Sequence, residues 1–319
     1  MAVLVTGVGY MGSRLVVDLL ERGLEVVAID NLFSTDANAI ECLKHCSGFH
    51  FIQGDVADRQ ILEHAMNLRP IEVVFSLAAQ SSGHPQAADP RYTEITNLLA
   101  PRLLLDAMVA NGVQTIVFAS SLKVYGNTLP ALLNAETPYG RFSDLSHLSK
   151  CYVEKLLEMY AALHGLRCLS LRLGVVHGVS PVMKTDYRFM TAPNKFCLQL
   201  VRGEPIRIYA AGSATTGYIH VADAAAAFVA AAERRDPVGY TFLDVFTELT
   251  SAHTIAEQAA RIGRERGLGA ELIVDGVLPA RPTRSSRPSR SVRSEPQCEG
   301  RLLQDSLPEV MSYYQCASS

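Results

Sequence analysis

The stretch that decides the fold is MAVLVTGVGYMGSRLVVDLLER, residues 1–22. It begins with an apolar run over residues 2–5, continues through a glycine-rich turn over residues 7–12, and then places apolar residues at helical spacing. Glycines at positions 7, 9 and 12 suit a tight turn in which backbone amides approach a phosphate, and the following helix adds partial positive charge at its start. The stretch therefore predicts a strand, a phosphate-binding turn and a helix, which together open a dinucleotide-binding α/β fold.

The same alternation of strands and helices continues to about residue 178. Predicted strands cover residues 2–6, 25–30, 49–54, 73–77, 115–120 and 168–173. Predicted helices cover residues 12–22, 59–68, 97–111 and 149–163. This alternation predicts a Rossmann-type, doubly wound parallel sheet with helices on both faces.

After Gly178 the pattern changes and predicts a smaller, mixed α/β C-terminal substrate lobe at the carboxyl edge of the sheet. The lobe should contain a helix over residues 194–201 and a strand over residues 206–209, while an alanine-rich helix over residues 222–233 should return to the sheet. The predicted domains are residues 1–178 with 210–245 for NAD binding, and residues 179–209 with 246–319 for the substrate.

Residues 279–296, PARPTRSSRPSRSVRSEP, have almost no apolar side chains. This composition predicts a mobile surface loop. The alternative is that one of its arginines binds a diphosphate.

The composition argues against several other classes of protein. Of 319 residues, 48% are hydrophobic and 19% are charged, as in a typical soluble globular protein. The net charge of −3 gives no electrostatic reason to expect nucleic-acid or membrane binding. The chain enters a strand directly, without a basic leader or a long apolar segment, so a cytoplasmic location is expected. Seven scattered cysteines favour reduced thiols, and no metal site is predicted, because Cys42 and Cys46 lack a second pair of ligands.

Acidic side chains end the second and third predicted strands. Asp30 lies where a carboxylate accepts hydrogen bonds from both ribose hydroxyls of a dinucleotide. It would repel a 2′-phosphate, and the neighbouring Asn31-Leu32-Phe33 offers no arginine to offset that repulsion, so NAD is predicted rather than NADP. Asp55 is predicted either to contact the adenine edge or to cap the next helix.

Further segments occur in an order that is typical of one family. They are Leu77-Ala78-Ala79-Gln80, Asn97, FASSLKVYG over residues 118–126, Ser149-Lys150, and Leu171-Arg172 leading to Gly178. Together with the glycine turn, this set resembles the extended short-chain dehydrogenases that act as NAD-dependent epimerases and dehydratases of nucleotide sugars. HLSK (147–150), GVVHG (174–178), NKFC (194–197) and TGYI (216–219) resemble its sulfoquinovose-synthase-like branch.

The resemblance implies an active site. Ser121 corresponds to the catalytic serine or threonine that binds the sugar hydroxyl, and Lys150 would hold the nicotinamide ribose and lower the pKa of a nearby hydroxyl. The implied cofactor contacts are Gly7, Gly9, Tyr10, Met11, Gly12, Asp30, Asn31, Leu32, Asp55, Val56, Leu77, Ala78, Ala79, Gln80, Asn97 and Lys150. The implied sugar-nucleotide contacts are Ser121, Lys123, Asn194, Lys195, Phe196, Tyr209 and the loop 180–193.

Four features depart from the family pattern. The glycine turn is one residue shorter than usual, Ser146 occupies the position of the catalytic tyrosine, and Thr216 replaces an arginine that contacts the diphosphate. Leu122-Lys123 replaces the Asp-Glu pair of 4,6-dehydratases. Because this pair lacks the carboxyl acid that dehydration needs, 4-epimerisation through a transient 4-keto sugar is expected ahead of dehydration or another oxidoreductase reaction.

Three explanations for the missing tyrosine stay open. Tyr139 could move in from its loop as a displaced acid/base. Ser146 could relay a proton with Lys150 and Ser121, with Lys123 as a further acid, although a serine hydroxyl is far less acidic than a phenol of pKa about 10. Thirdly, the protein could be a degenerate scaffold that binds cofactor and sugar nucleotide. By resemblance, the helices 97–111 and 149–163 are expected to form a homodimer.

Overall fold

The computed structural model describes residues 1–81, 89–126, 129, 133, 136–209, 212, 214–234, 236–275 and 300–317. The strands are β1 (Ala2–Thr6), β2 (Glu25–Asp30), β3 (Phe49–Gln53), β4 (Ile71–Ser76), β5 (Thr115–Ser121), β6 (Arg167–Leu173), β7 (Val175–His177), β8 (Ile206–Tyr209), β9 (Thr215–His220), β10 (Gly239–Val245), β11 (Glu248–Ser251) and β12 (Leu272–Asp275). The helices are α1 (Tyr10–Glu21), α2 (Ala37–Lys44), α3 (Arg59–Leu68), α4 (Pro90–Glu94), α5 (Ala100–Ala110), α6 (Leu145–His164), α7 (Ala192–Val201), α8 (Val221–Glu233), α9 (Ala252–Glu265) and α10 (Leu303–Ala317).

Seven parallel strands form the main sheet, in the order β3-β2-β1-β4-β5-β6-β10. The order reverses between β1 and β4, and ligands of such sheets bind in the crevice at this point. In the register of the sheet, Thr6 lies opposite Ile29 on one side and Ser76 on the other. The glycine turn therefore leaves the sheet between Asp30 and Leu77.

Two apolar clusters cover the two faces of the sheet. Leu4 belongs to the cluster that includes side chains of α3, α5 and α6, and Val5 to the cluster that includes α1 and α8. Successive side chains of a strand point to opposite faces, so a strand covered on both faces reads as a continuous apolar run. This is why β1 was recognisable from Val3-Leu4-Val5.

The smaller lobe has its own apolar core, to which α7, α9, α10 and β8 contribute. β12 pairs with β8, while β7, β9 and β11 form a three-stranded sheet. The predicted fold class, a doubly wound parallel sheet with a smaller mixed lobe, is confirmed. The domain boundaries stay a prediction, although β10 does return to the main sheet. The stretch 279–296 lies outside the described residues.

The helix predicted over residues 97–111 starts earlier, and the segment from Pro90 to Ala110 is built from three pieces. α4 starts at Pro90 behind the capping side chain of Asp89, a π-helical turn covers Ile95–Leu99, and α5 continues to Ala110. Pro101 has no amide hydrogen for the carbonyl of Asn97, which accounts for the wider turn before it. The helix predicted over residues 149–163 is longer, because Asp144 caps its start and Gly165 ends it with φ 66°.

Within the described part of the chain, no helix combines the length and the apolar character needed to cross a bilayer.

Candidate active site

The glycine turn is packed so closely that side chains are excluded from it. Gly7 has φ +83°, and a Cβ atom there would lie 2.7 Å from the backbone nitrogen of Ala78. A Cβ atom on Gly12 would lie 1.9 Å from the carbonyl oxygen of Gly7. No side chain caps the start of α1, so its first backbone amides are free for an external acceptor. A glycine cradle with free helical amides fits a dinucleotide diphosphate.

Asp30, at the end of β2, organises this cradle. Its carboxylate accepts hydrogen bonds from the backbone N–H of Val8 (2.7 Å) and of Leu32 (2.7 Å), and from the hydroxyl of Thr35 (3.2 Å). Leu32 has φ +61°, a conformation that the bond to Asp30 helps to hold. A carboxylate offers about four acceptor positions, so Asp30 keeps capacity for a ribose hydroxyl while it fixes the turn.

Asn31 and Asp55 join the ends of β2 and β3. The Asn31 amide donates to Asp55 Oδ2 at 2.9 Å and to the Tyr92 hydroxyl at 3.0 Å. Asp55 Oδ1 accepts the backbone N–H of Ala57 at 2.8 Å. Asp58, not Asp55, caps α3, so the helix-cap alternative for Asp55 is wrong. Val56, the next residue, is buried in the core, where only its backbone can meet a cofactor.

The segment after β4 is held by Asn97. The Asn97 side chain accepts the backbone N–H of Gln80 at 2.8 Å and donates to the Gln80 carbonyl at 2.9 Å. It also donates to the Ser149 hydroxyl of α6 at 3.0 Å. Asn97 thus joins the segment Leu77-Ala78-Ala79-Gln80 to α6. Its predicted direct contact with the cofactor stays a prediction.

Lys150 of α6 reaches the carboxyl end of β5, where Ser121 is the last residue, and Ser146 lies one turn before Lys150 on α6. Lys150 Nζ donates to the carbonyl of Ala119 at 2.8 Å and lies 4.8 Å from the centre of the Phe118 ring. Burial lowers the pKa of Lys150 to about 8, while the Glu154 carboxylate acts in the opposite direction. Ser121 ends the strand, and its hydroxyl accepts the backbone N–H of Lys123 at 3.2 Å.

Two polar groups of the candidate site, one on α6 and one in the turn after β5, have no partner in the described structure. Ser146 is 5% exposed, and its hydroxyl makes no hydrogen bond to any of the described residues. The Lys123 ammonium likewise forms neither a hydrogen bond nor an ion pair with the described residues. Burial lowers the pKa of Lys123, while the charge of Asp144 acts in the opposite direction. Both groups remain available to a ligand.

Tyr139 is bound to a buried ion pair. Its hydroxyl donates to Glu154 Oε2 at 3.0 Å. Glu154 (0% exposed) receives two N–H groups of Arg172 (4% exposed), and Ser120 also donates to it. Burial, and then the Glu154 charge, raise the pKa of Tyr139. The hydroxyl of Tyr139 is therefore a weak acid at neutral pH and already has an acceptor.

The ion pair extends to the far edge of the sheet. Arg172 Nη1 donates to the Tyr125 hydroxyl at 2.6 Å, and that hydroxyl donates to Asp244 of β10 at 2.9 Å. Burial raises the pKa of Asp244 to about 6. This network was missed from the sequence, although an arginine inside an otherwise apolar strand is a signal for a buried partner.

On the lobe side, Asn194 and Tyr10 bind each other and Gly178. Asn194 (4% exposed) accepts the N–H of Gly178 at 3.1 Å and donates to the Gly178 carbonyl at 3.0 Å and the Tyr10 hydroxyl at 3.2 Å. The Tyr10 hydroxyl also donates to the Gly178 carbonyl at 2.7 Å. These side chains join the glycine turn to the lobe, so their polar atoms are already engaged within the protein.

The other predicted substrate contacts fall into two groups. Phe196 is buried in the lobe core. Lys195 Nζ lies 5.5 Å from the centre of the Tyr187 ring, and Tyr209 is 65% exposed, so these two remain accessible. Met11, next to the glycines, is partly buried against the core beside α1.

The site assignments stay predictions. A search of the described residues finds no group of His, Cys, Asp or Glu that could hold a metal ion.

Comparison with known proteins identifies the family. The NAD dependent epimerase/dehydratase family matches residues 3–242, more than half of the chain. The UDP-glucose 4-epimerase of Bacillus subtilis (strain 168) is 31% identical over 255 residues, which are 73% of this chain and 73% of that protein. The chain belongs to the NAD dependent epimerase/dehydratase family.

Solved structures agree with this assignment. The UDP-glucose-4-epimerase from Stenotrophomonas maltophila with bound NAD and formylated UDP-arabinopyranose is 27% identical, with a TM-score of 0.83 over 100% of this chain and 99% of that one. The UDP-glucose 4-epimerase of Thermus thermophilus, solved as a complex with NAD, is 27% identical, with a TM-score of 0.77 over 97% and 99% of the two chains. These findings confirm the predicted family, an NAD-dependent isomerase-type enzyme as the class of protein, and NAD as the cofactor.

Proposed function

We propose that the protein modifies a nucleotide-diphosphate sugar by reversible oxidation, with 4-epimerisation through a transient 4-keto sugar as the reaction. The observation that carries this proposal is that Lys150 of α6 binds Ala119 of β5, the strand that Ser121 ends, at the same edge of the sheet as a glycine cradle suited to a dinucleotide. Ser146 lies one turn before Lys150 on α6. Relatives that are named UDP-glucose 4-epimerase, and one solved with a UDP-linked sugar, support the class of substrate.

Each residue of the group has a role in this proposal. When bound, NAD supplies reversible hydride transfer. Ser121 binds the sugar hydroxyl that loses its proton. Lys150 carries three donor hydrogens and uses one on Ala119, so two remain for a ribose hydroxyl and for the relay. A pKa of about 8 lets Lys150 take up and release a proton near neutral pH.

Ser146 completes the relay, because it lies one turn before Lys150 on α6 and its hydroxyl has no partner among the described residues. Tyr139 is less suited to this role, since its hydroxyl is bound to Glu154 and its pKa is raised. Lys123 offers no carboxylate, which favours epimerisation over dehydration. A degenerate scaffold is the second candidate, because serine replaces the usual phenol at position 146.

We also propose that α5 and α6, with the turn before α5, form a homodimer interface. Large apolar side chains on these helices are exposed: Leu99, Val109, Leu148, Tyr152, Met159 and Leu163. An exposed apolar surface of this kind is typical of a protein–protein contact.

The test is an incubation of the protein with NAD and UDP-, GDP-, dTDP- and CDP-hexoses, followed by proton NMR and mass spectrometry, with Lys150→Met as the control. A new anomeric signal at unchanged mass supports an epimerase. Loss of one water would favour a dehydratase instead. Bound NAD and nucleotide sugar without turnover would favour the scaffold, and binding of neither would contradict the proposal.

A further inference from the structure

The loop after β7 crosses from the lobe to the cofactor edge of the main sheet. Near its start, the Ser180 hydroxyl donates to the Tyr10 carbonyl and lies 3.0 Å from the Ser13 hydroxyl. The backbone N–H of Val182 donates to Ser13 Oγ at 3.2 Å. This part of the loop is therefore packed on the first turn of α1, where the free helical amides lie.

The end of the same loop reaches the other side of the cofactor edge. The Phe189 ring centre lies 6.0 Å from that of Phe33, which itself lies 4.3 Å from that of Tyr92. Phe33 follows Asp30 by three residues. The loop thus spans the distance between the start of α1 and the end of β2.

Lys184 lies in the middle of this loop, and both its backbone and its side chain are restrained. Its carbonyl accepts the Tyr314 hydroxyl of α10 at 2.8 Å. Its ammonium lies 5.4 Å from the centre of the Phe189 ring. Burial lowers the pKa of Lys184, and the Asp30 carboxylate, then that of Asp186, act in the opposite direction. The ammonium therefore lies beside Phe189, whose ring approaches Phe33 just after the end of β2.

The Lys184 ammonium lacks an acceptor. It makes no hydrogen bond and no ion pair within 4.0 Å to any residue in the described ranges. The oxygens of Asp30 already accept two backbone N–H groups and a hydroxyl. A partly buried cation without an acceptor is unfavourable, and an anionic ligand would remove that cost.

We propose that Lys184 is a phosphate-binding residue of the dinucleotide site and binds the diphosphate of the cofactor from the lobe. A diphosphate is the anion that the glycine turn and the start of α1 favour. A 2′-phosphate is the less suitable anion, because the Asp30 carboxylate at the end of β2 would repel it. Through the Tyr314 bond, cofactor binding then becomes coupled to the packing of α10 in the lobe.

The test measures binding alone, so it does not depend on the proposed sugar chemistry. NAD, ADP-ribose, adenosine and NADP are titrated by calorimetry into cofactor-free wild-type protein, Lys184→Met and Lys184→Arg. The matched control is Lys155→Met, because Lys155 is an exposed lysine paired with Glu158. We expect Lys184→Met to weaken the binding of NAD and of ADP-ribose by about 10- to 100-fold, because a charge-assisted hydrogen bond is lost. Adenosine affinity should not change, and Lys184→Arg should recover most of the loss.

Three results for Lys184→Met would overturn the proposal. They are an NAD affinity equal to that of the wild type, a loss of affinity for NADP alone, or a loss of affinity for adenosine as large as that for NAD. The second would assign Lys184 to a 2′-phosphate, and the third would show a disturbed pocket. If Lys184→Met does not fold, Lys184→Gln with the same ligands decides the question. The NAD affinity of Lys184→Gln should also depend less on salt concentration than that of the wild type, since one phosphate contact is lost.

Discussion

At the cofactor edge of the main sheet, close backbone packing excludes side chains from the glycine turn. Gly7 and Gly12 leave no space for a Cβ atom, and the Asp30 carboxylate holds two backbone amides in place. At the first turns of α6, by contrast, the backbone and Lys150 are in place, but Ser146 supplies a small hydroxyl instead of a phenol. Packing thus preserves the frame of the site, whereas the proposed path of the proton depends on the single side chain at position 146.

Gly12→Ala is expected to have the largest effect, and it acts on the cofactor edge. The new Cβ atom would lie 1.9 Å from a backbone oxygen, which only a movement of the turn can relieve. We expect a loss of about 3 kcal/mol or more in unfolding free energy and no NAD binding detectable by calorimetry. Gly269→Ala is the control, since its Cβ atom would meet nothing within 4 Å. Normal NAD affinity in Gly12→Ala would contradict this account of the cradle.

Lys150→Met acts on the first turns of α6. It should lower kcat/KM by about 100- to 10,000-fold, because the positioned acid/base group is removed. The fold and the glycine turn should persist in Lys150→Met, because the Lys150 ammonium makes a single hydrogen bond, to the Ala119 carbonyl, among the described residues. Turnover near the wild-type rate would show that the relay does not pass through Lys150.

The pKa of Lys150 also predicts how stability depends on pH. Folding lowers this pKa from 10.5 to about 8, so between these values the unfolded chain binds more protons than the native protein. On account of this group, the unfolding free energy of the cofactor-free protein should rise as the pH increases from 8 to 10. Urea unfolding at pH 7.5 and pH 10 should show a smaller increase in unfolding free energy for Lys150→Met than for the wild type. An identical pH dependence in both proteins would count against the lowered pKa.

Glu154→Gln tests the buried network around the ion pair of Glu154 and Arg172. Removing the charge of one partner leaves Arg172 buried without its counterion, which typically costs about 3–5 kcal/mol of unfolding free energy. Glu158→Gln is the matched control on the same helix, because its pair with Lys155 is exposed and is expected to contribute less than about 1 kcal/mol. Equal losses in urea unfolding would mean that the network does not stabilise the site.

Met159→Glu is expected to have the smallest effect on the site itself, since it acts on the exposed face of α6. A charge on the proposed dimer surface should weaken dimerisation by about tenfold or more, as measured by analytical ultracentrifugation. Val238→Glu, an exposed apolar position outside α5 and α6, should leave dimerisation unchanged. A monomeric wild-type protein would contradict the proposed interface.

Local sequence determines most of the sheet and the cofactor edge. The bounds of β1, β2, α3 and β8 are those predicted, because their apolar periodicity is uninterrupted. The roles of Gly7, Gly12 and Asp30 also follow from spacing within 30 residues. Short lobe strands such as β7, with three residues, carry too little pattern to be recognised.

The remaining parts of the site depend on contacts between distant residues. Tyr10 binds Gly178 across 168 positions, and Tyr314 binds Lys184 across 130. No periodicity connects such pairs, so neither the join between turn and lobe nor the position of Lys184 could be predicted. Likewise, no pattern in the sequence links Tyr139 to the buried Glu154, to which its hydroxyl donates a hydrogen bond.

The most direct test of the account compares kcat/KM of Ser146→Ala and Tyr139→Phe with that of the wild type, on the nucleotide sugar that the incubation identifies. Ser146→Ala is expected to lower kcat/KM by about 100-fold or more, because the proposed relay loses its hydroxyl. Tyr139→Phe should stay within about tenfold of the wild type, because its hydroxyl serves Glu154. A large loss in Tyr139→Phe together with normal turnover in Ser146→Ala would contradict the account and assign the proton transfer to Tyr139.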